Sequence, residues 1–158
     1  MTELDHIEDL ASIGVDPNNF PRPQAHKERI EVLLAERDRE LRGLVRLNAH
    51  QAGYLVHTSR DLLANLDGVL RLPHEPFVIV ILDVTVPSST RWVVKGIRER
   101  GEKMKKEIPL IMTAMIGTPD IEIAKELADF VLPKPYSMSV LMETLKEAQN
   151  PASTKKLV

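Results

Sequence analysis

The sequence predicts a doubly wound α/β domain, a five-stranded parallel sheet with helices on both faces, and three features carry the prediction. Phe77-Val78-Ile79-Val80-Ile81-Leu82 is an unbroken apolar run rich in Val and Ile, too short for a helix, which reads as a strand buried on both faces. Further short apolar runs alternate with stretches of helical periodicity, in the order βαβαβαβαβα. Glycines and prolines punctuate the joins, and crossovers of this kind are right-handed, so helices cover both faces of one parallel sheet.

The elements follow in order. Ile30 to Ala35 is the first strand, and Asp38 is placed to cap a helix starting at Arg39, whose stripe is Leu41, Leu44, Val45 and Leu47 with Ala52 and whose end is Gly53. Tyr54 to Thr58 is the second strand. Ser59 or Asp61 opens a helix through Leu62, Leu63, Leu66, Val69 and Leu70, which stops before Pro73. After the strand from Phe77 to Leu82, Asp83 and Pro87, Ser88 or Ser89 caps a helix carrying Trp92, Val93 and Ile97, with Gly101 near its end. Ile108 to Thr113 is the fourth strand. Thr118-Pro119, a cap and a first-turn proline, opens a helix burying Ile121, Ala124 and Leu127 or Ala128. Phe130 to Leu132 is the fifth strand, and Ser137 caps a last helix with Leu141 and Leu145 inward and Val140 beside them.

Residues 30–148 are expected to form this domain, preceded by an extension over 1–29 and followed by a disordered polar tail over 149–158. In the extension, Thr2 caps a short helix with Leu4, Ile7, Leu10 and Ala11 on one face and Gly14 at its end, before a breaker-rich stretch to Pro23. It reads either as a docking or dimerising arm, which allows a homodimer, or as a loosely held leader. What lies outside the α/β unit is too short to fold as a separate output domain, although the chain can equally be a piece of a longer protein.

Composition narrows the function classes. The apolar share of 43% and charged share of 28% are those of a soluble globular protein. A net charge of -2 gives no reason to expect nucleic acid or an anionic membrane as partner, and leaves proteins as the expected partners. No stretch of about eighteen apolar residues and no signal-peptide pattern is present, so the expected location is the cytoplasm. The absence of Cys excludes disulfides, thiolate metal sites and cysteine nucleophiles. The five histidines, at 6, 26, 50, 57 and 74, show no metal-ligand spacing and read as surface or loop residues.

The chemistry-bearing residues sit at or just after strand ends: Glu36, Arg37 and Asp38, then Asp83, Thr113 and Lys134. In a doubly wound sheet these ends share one rim, where ligands bind. An Asp, a hydroxyl and a Lys there are the parts needed for phosphoryl transfer to a carboxylate, with Mg²⁺ held by further carboxylates.

Ile30 to about Ala148 resembles a receiver domain of bacterial two-component response regulators. The matching residues are Leu82-Asp83 with Pro87, the run Ile108-Pro109-Leu110-Ile111-Met112-Thr113-Ala114, the run Leu132-Pro133-Lys134-Pro135-Tyr136, and Gly53-Tyr54. The resemblance implies a flavodoxin-like receiver fold, with Asp83 as phospho-acceptor, Thr113 as switch hydroxyl and Lys134 as phosphate-binding lysine. It also implies a protein-contact surface between Ile121 and Leu145.

The departures point to an altered acidic pocket. The family's first strand is followed by two acidic residues, the second a Mg²⁺ ligand, whereas this chain has Glu36 then Arg37. A cation there opposes a dication by about 4 kcal/mol per pair of unit charges near 4 Å. Asp38 is either a substitute ligand or the helix cap. Arg91 stands where the family has Gly, Thr90 where it often has Asp, and Val131 where it has an aromatic, with Phe130 one residue early. The short loop after the fourth strand leaves Thr113 and Ala114 both in reach of the hydroxyl position. Three readings result. The first is a non-enzymatic, cofactor-free pseudo-receiver acting through protein contacts, in which Arg37 and Lys134 both pair with Asp83. The second is a phosphorylatable receiver, fed by a histidine kinase, with Mg²⁺ on Glu36, Asp38 and Asp83. The third is a haloacid dehalogenase-type phosphatase, disfavoured because Thr85 stands where that family needs Asp.

Overall fold

The computed structural model describes residues 30–150. The extension over 1–29, with its helix and its arm or leader, and the tail from 151 onward lie outside the described residues; Gln149 and Asn150, expected in the tail, are placed, with Gln149 capping α5 and its side-chain amide donating to Tyr54 Oη. The elements are β1 (Ile30–Ala35), α1 (Arg39–Gln51), β2 (Leu55–Thr58), α2 (Leu62–Leu70), β3 (Phe77–Asp83), α3 (Thr90–Met104), β4 (Leu110–Met115), α4 (Asp120–Leu127), β5 (Phe130–Lys134) and α5 (Met138–Ala148). The sheet is parallel throughout, in the order β2-β1-β3-β4-β5. The predicted doubly wound architecture is therefore the observed one.

Strand periodicity splits the core into two layers. Leu33, Val80, Leu82, Leu110 and Met112 face α2, α3 and α4, whereas Val32, Leu34, Ile79, Ile81 and Ile111 face α1 and α5. β3 is buried from Val78 to Asp83, as a central strand must be. Arg98 of α3 locks the base of the sheet: it holds Asp129 at 2.9 Å, and Asp129 accepts the Leu110 N–H at 2.8 Å.

Local signals at the helix ends succeed in part. Asp38 caps α1 by accepting from the N–H groups of Glu40 and Leu41, Asp61 caps α2 through Ala64, and Ser137 caps α5 through Val140. Gly53 follows α1 with φ at 95°, the conformation glycine adopts without strain. Ser89 occupies the cap position of α3 without a side-chain bond, and Thr118 caps nothing: its hydroxyl donates to the Met115 carbonyl at 2.7 Å while Pro119 precedes α4.

Other expectations are corrected. β4 begins two residues later than predicted, since Pro109 has no N–H to give, although its carbonyl accepts from Val80 at 2.9 Å. It also runs on to Met115, and β5 continues to Lys134 through Pro133, which an edge strand tolerates. Trp92 is 66% exposed and Val94 takes its inward place. Leu44 points outward too, leaving Val45 and Ala49 as the buried apolar positions of α1. Two histidines are not simple surface residues. His50 is buried in α1, and His57 lies 3.1 Å from the buried carboxylate of Glu31.

Gly101 sits inside the last turn of α3, and the helix stops at left-handed Lys105 instead. A Cβ on Gly101 would lie 2.8 Å from the backbone carbonyl oxygen of Lys106, which cannot swing aside. Gly101→Ala is expected to cost about 1–3 kcal/mol, read as a lower urea midpoint at unchanged slope.

Candidate functional site

The site follows from strand parity. Val32 and Leu34, Ile79 and Ile81, Ile111, and Phe130 and Leu132 belong to the core layer beneath α1 and α5. One step further along each chain, on the same face, come Glu36, Asp83, Thr113 and Lys134. Register matches this: Asp83 pairs with Thr113, while Ala114 pairs with Pro133 on the other face. Thr113, not Ala114, thus flanks Asp83. Arg37 has the opposite parity from Glu36.

Lys134 is the hub. Its ammonium lies 2.6 Å from Glu36 Oε1 and donates to Asp83 Oδ2 at 3.0 Å. All three side chains are largely withdrawn from water. The other oxygens are also engaged. Glu36 Oε2 accepts from the Asp38 N–H at 2.9 Å, and Asp83 Oδ1 accepts from Thr85 N–H at 3.0 Å and Thr85 hydroxyl at 2.9 Å.

The two carboxyls part company in acidity. Burial would raise both. At Asp83 this is outweighed by the hydrogen bond from the Glu36 carboxyl, the Thr85 N–H, Lys134 and the Thr85 hydroxyl, which bring it down to about 2. Glu36 goes the other way, pushed up by burial and by its contact with Asp83. Lys134 is held above the ordinary lysine range: burial disfavours its charge, but Glu36 and Asp83 more than compensate. Tyr136 is also raised, first by burial and then by the two carboxylates. Two buried hydroxyls, Thr113 Oγ1 and Tyr136 Oη, have no hydrogen-bond partner among the described residues.

The expected pairing of Arg37 with Asp83 does not occur. Arg37 is exposed and lines a cleft of about 730 Å³ beside the site. Its parity decides this, because a residue next to Glu36 leaves the strand on the other side. Asp38 is the helix cap, its carboxylate accepting from the N–H groups of Glu40 and Leu41. The donor set also bears on Mg²⁺, which needs several oxygen ligands in near-octahedral array. Among the described residues no three His, Asp or Glu side chains are grouped to hold an ion. Glu36 and Asp83 already share one ammonium, so a divalent cation binding both carboxyls would have to displace Lys134. Phe130 is buried against the core while Val131 is half-buried, so no aromatic occupies the Val131 position.

No family model matches the sequence, and no curated protein matches it either. Solved structures do match. The chemotaxis protein CheY4 of Vibrio cholerae is 25% identical, with a TM-score of 0.60 over 76% of this chain and 98% of that one. The signal receiver domain of a response regulator from Bacteroides fragilis is 22% identical, with a TM-score of 0.62 over 78% and 98% of the respective chains. The domain has the response-regulator receiver fold. Full-length FixJ of B. japonicum extends beyond the match: at 21% identity and a TM-score of 0.60, this chain covers 62% of it. No helix among the described residues of this receiver-fold domain is long and apolar enough to cross a membrane.

Thr85 was not singled out from the sequence as part of this site. The available signal was a hydroxyl residue two positions after a strand-end Asp, a spacing at which Asp side chains accept local backbone N–H bonds.

Two outcomes are expected. Lys134→Met leaves two buried carboxyls without their cation and lowers stability by about 3 kcal/mol or more at neutral pH; part is recovered in Lys134→Met combined with Glu36→Gln, both read from urea melts. The second concerns acid. Asp83 is held at about 2, below its ordinary 3.8, so its stabilisation is complete above 3.8 and is lost as pH falls toward 2. Glu36, being raised, has the opposite sign and weakens the fold only above its ordinary 4.5. The stability gap between wild type and Asp83→Asn should therefore narrow as pH is lowered from about 4 to about 2.

Proposed function

We propose that this chain is a signalling module of receiver type that acts through protein–protein contacts, with Mg²⁺-dependent phosphorylation at Asp83 lost or atypical. One observation carries the reading: Asp83 is satisfied within the protein at both oxygens, by Lys134 and by Thr85. A cation that neutralises the pocket is thus built in, and one conformation can be held without metal. On this reading the chain is not an enzyme, needs no cofactor and works in the cytoplasm. Its partners are other signalling proteins rather than nucleic acid or membrane, and a second copy of the chain is among them as a candidate.

A second reading has its own support. The unpartnered hydroxyls of Thr113 and Tyr136 are donors that the oxygens of a phosphoryl group on Asp83 would use. Here a histidine kinase is the partner and Asp83 the acceptor, with Lys134 holding the phosphoryl group.

Incubation with acetyl phosphate and Mg²⁺, read by intact-mass spectrometry beside Asp83→Ala, separates the two. The first reading expects no adduct. An adduct of about 80 Da that requires both Asp83 and Mg²⁺ would establish the second.

A further inference from the structure

The cleft beside the acidic site takes its charge from three arginines. Arg37, Arg42 and Arg60 line it, with the hydroxyl residues Thr58, Ser59 and Thr85 between them. Arg37 follows β1 and Arg60 follows β2, so neighbouring strand ends supply both, while Arg42 comes from the first turn of α1. Its volume of about 730 Å³ is within the range of small-molecule sites.

Among the described residues the charge is not cancelled locally. Glu36 is the acidic residue in the lining, and its carboxyl is held by Lys134 at 2.6 Å. The neighbouring carboxylates Asp38 and Asp61 lie outside the lining and accept from the N–H groups of their own helices. Arg37 and Arg60 are exposed and make no ion pair among the described residues. Arg42 is oriented by donating from Nη1 to the Glu36 carbonyl at 3.0 Å, which leaves the rest of its fork free to bind. Like charges lining a concave surface focus the field into it and raise the local concentration of anions.

We propose that this cleft binds a small molecule bearing phosphate. Guanidinium forks match phosphate oxygens two at a time, and the hydroxyls of Thr58 and Ser59 supply further donors, that of Thr85 being given to Asp83. No aromatic side chain lines the cleft, and Val86 is its sole apolar residue, so a nucleobase would find no stacking surface. The ligand class is therefore a polyphosphate or the phosphate ester of a polar molecule. The proposal holds whether or not Asp83 accepts a phosphoryl group, and it gives Arg37 a role that pairing with Asp83 does not.

The test is isothermal titration of the full chain with pyrophosphate at low, matched ionic strength. Saturable binding is expected, weakened about tenfold or more in the doubly substituted Arg37→Gln, Arg60→Gln variant, whose fold should persist because both positions are exposed. Arg91→Gln, on the exposed outer side of α3, should leave binding intact. Amide chemical-shift changes in the wild type should centre on residues 37, 42, 58–60 and 85 rather than on 113 and 134. Absence of saturable heat, undiminished binding in the double variant, an equal loss in Arg91→Gln, or shifts centred on 113 and 134 would each overturn the proposal.

Discussion

A single ammonium bridging two buried carboxyls is the constraint that organises the rim of this receiver fold. Lys134 ends the edge strand β5, Glu36 follows β1 and Asp83 ends β3, so one cation ties together three strands of the sheet. Two carboxyls this close cannot both ionise cheaply in a low-dielectric site. The protein resolves the conflict by dividing them: Asp83 collects most of the donors and stays acidic, whereas Glu36 holds its proton more readily. Thr85 matters because its two donors tip that balance toward Asp83.

This arrangement depends on the sheet being parallel and central strands being buried on both faces. With a period of two, each strand's last core residue fixes which side its next polar residue enters. The layer beneath α1 and α5 therefore ends in Glu36, Asp83, Thr113 and Lys134, which is a site, while Arg37 opens on a separate cleft. A one-residue slip in β1 would exchange Glu36 and Arg37 and put a guanidinium where the carboxyl now stands. Glu31, the one polar residue of β1, opposes that slip, because Glu31 would leave His57 and exchange faces with Val32.

The balance also sets the terms of any response. A pocket whose cation is supplied by the chain itself has a stable resting arrangement, and a change of state must displace Lys134 from at least one carboxyl. Among the described residues, the buried hydroxyls of Thr113 and Tyr136 have no hydrogen-bond partner. Further round the rim, Arg37, Arg42 and Arg60 carry charge that the acidic pocket does not use. The two regions share Glu36 and Thr85 as lining residues, so ligand binding in one has a direct physical route to the other.

Much of this was legible in the sequence, because the signals were local. The run of Val and Ile before Asp83 named the central strand, the helix stripes named their inward residues in α2 and α5, and Asp38, Asp61 and Ser137 announced helix starts through their own side chains. The grouping of Asp83, Thr113 and Lys134 followed from their places at strand ends. What only the tertiary structure decided depended on direction and competition. Arg37 missed Asp83 because alternation turned it outward. Trp92 and Leu44 were left exposed because Val94 and Val45 filled the space facing the sheet, and Thr118 gave its hydroxyl to a nearby carbonyl instead of a helix. Sequence alone determined which residues reach the rim, since order and periodicity travel with the chain. The pairing of Lys134 with Glu36 as well as Asp83 was settled only by folding, because it depends on distances between strands that no local pattern encodes.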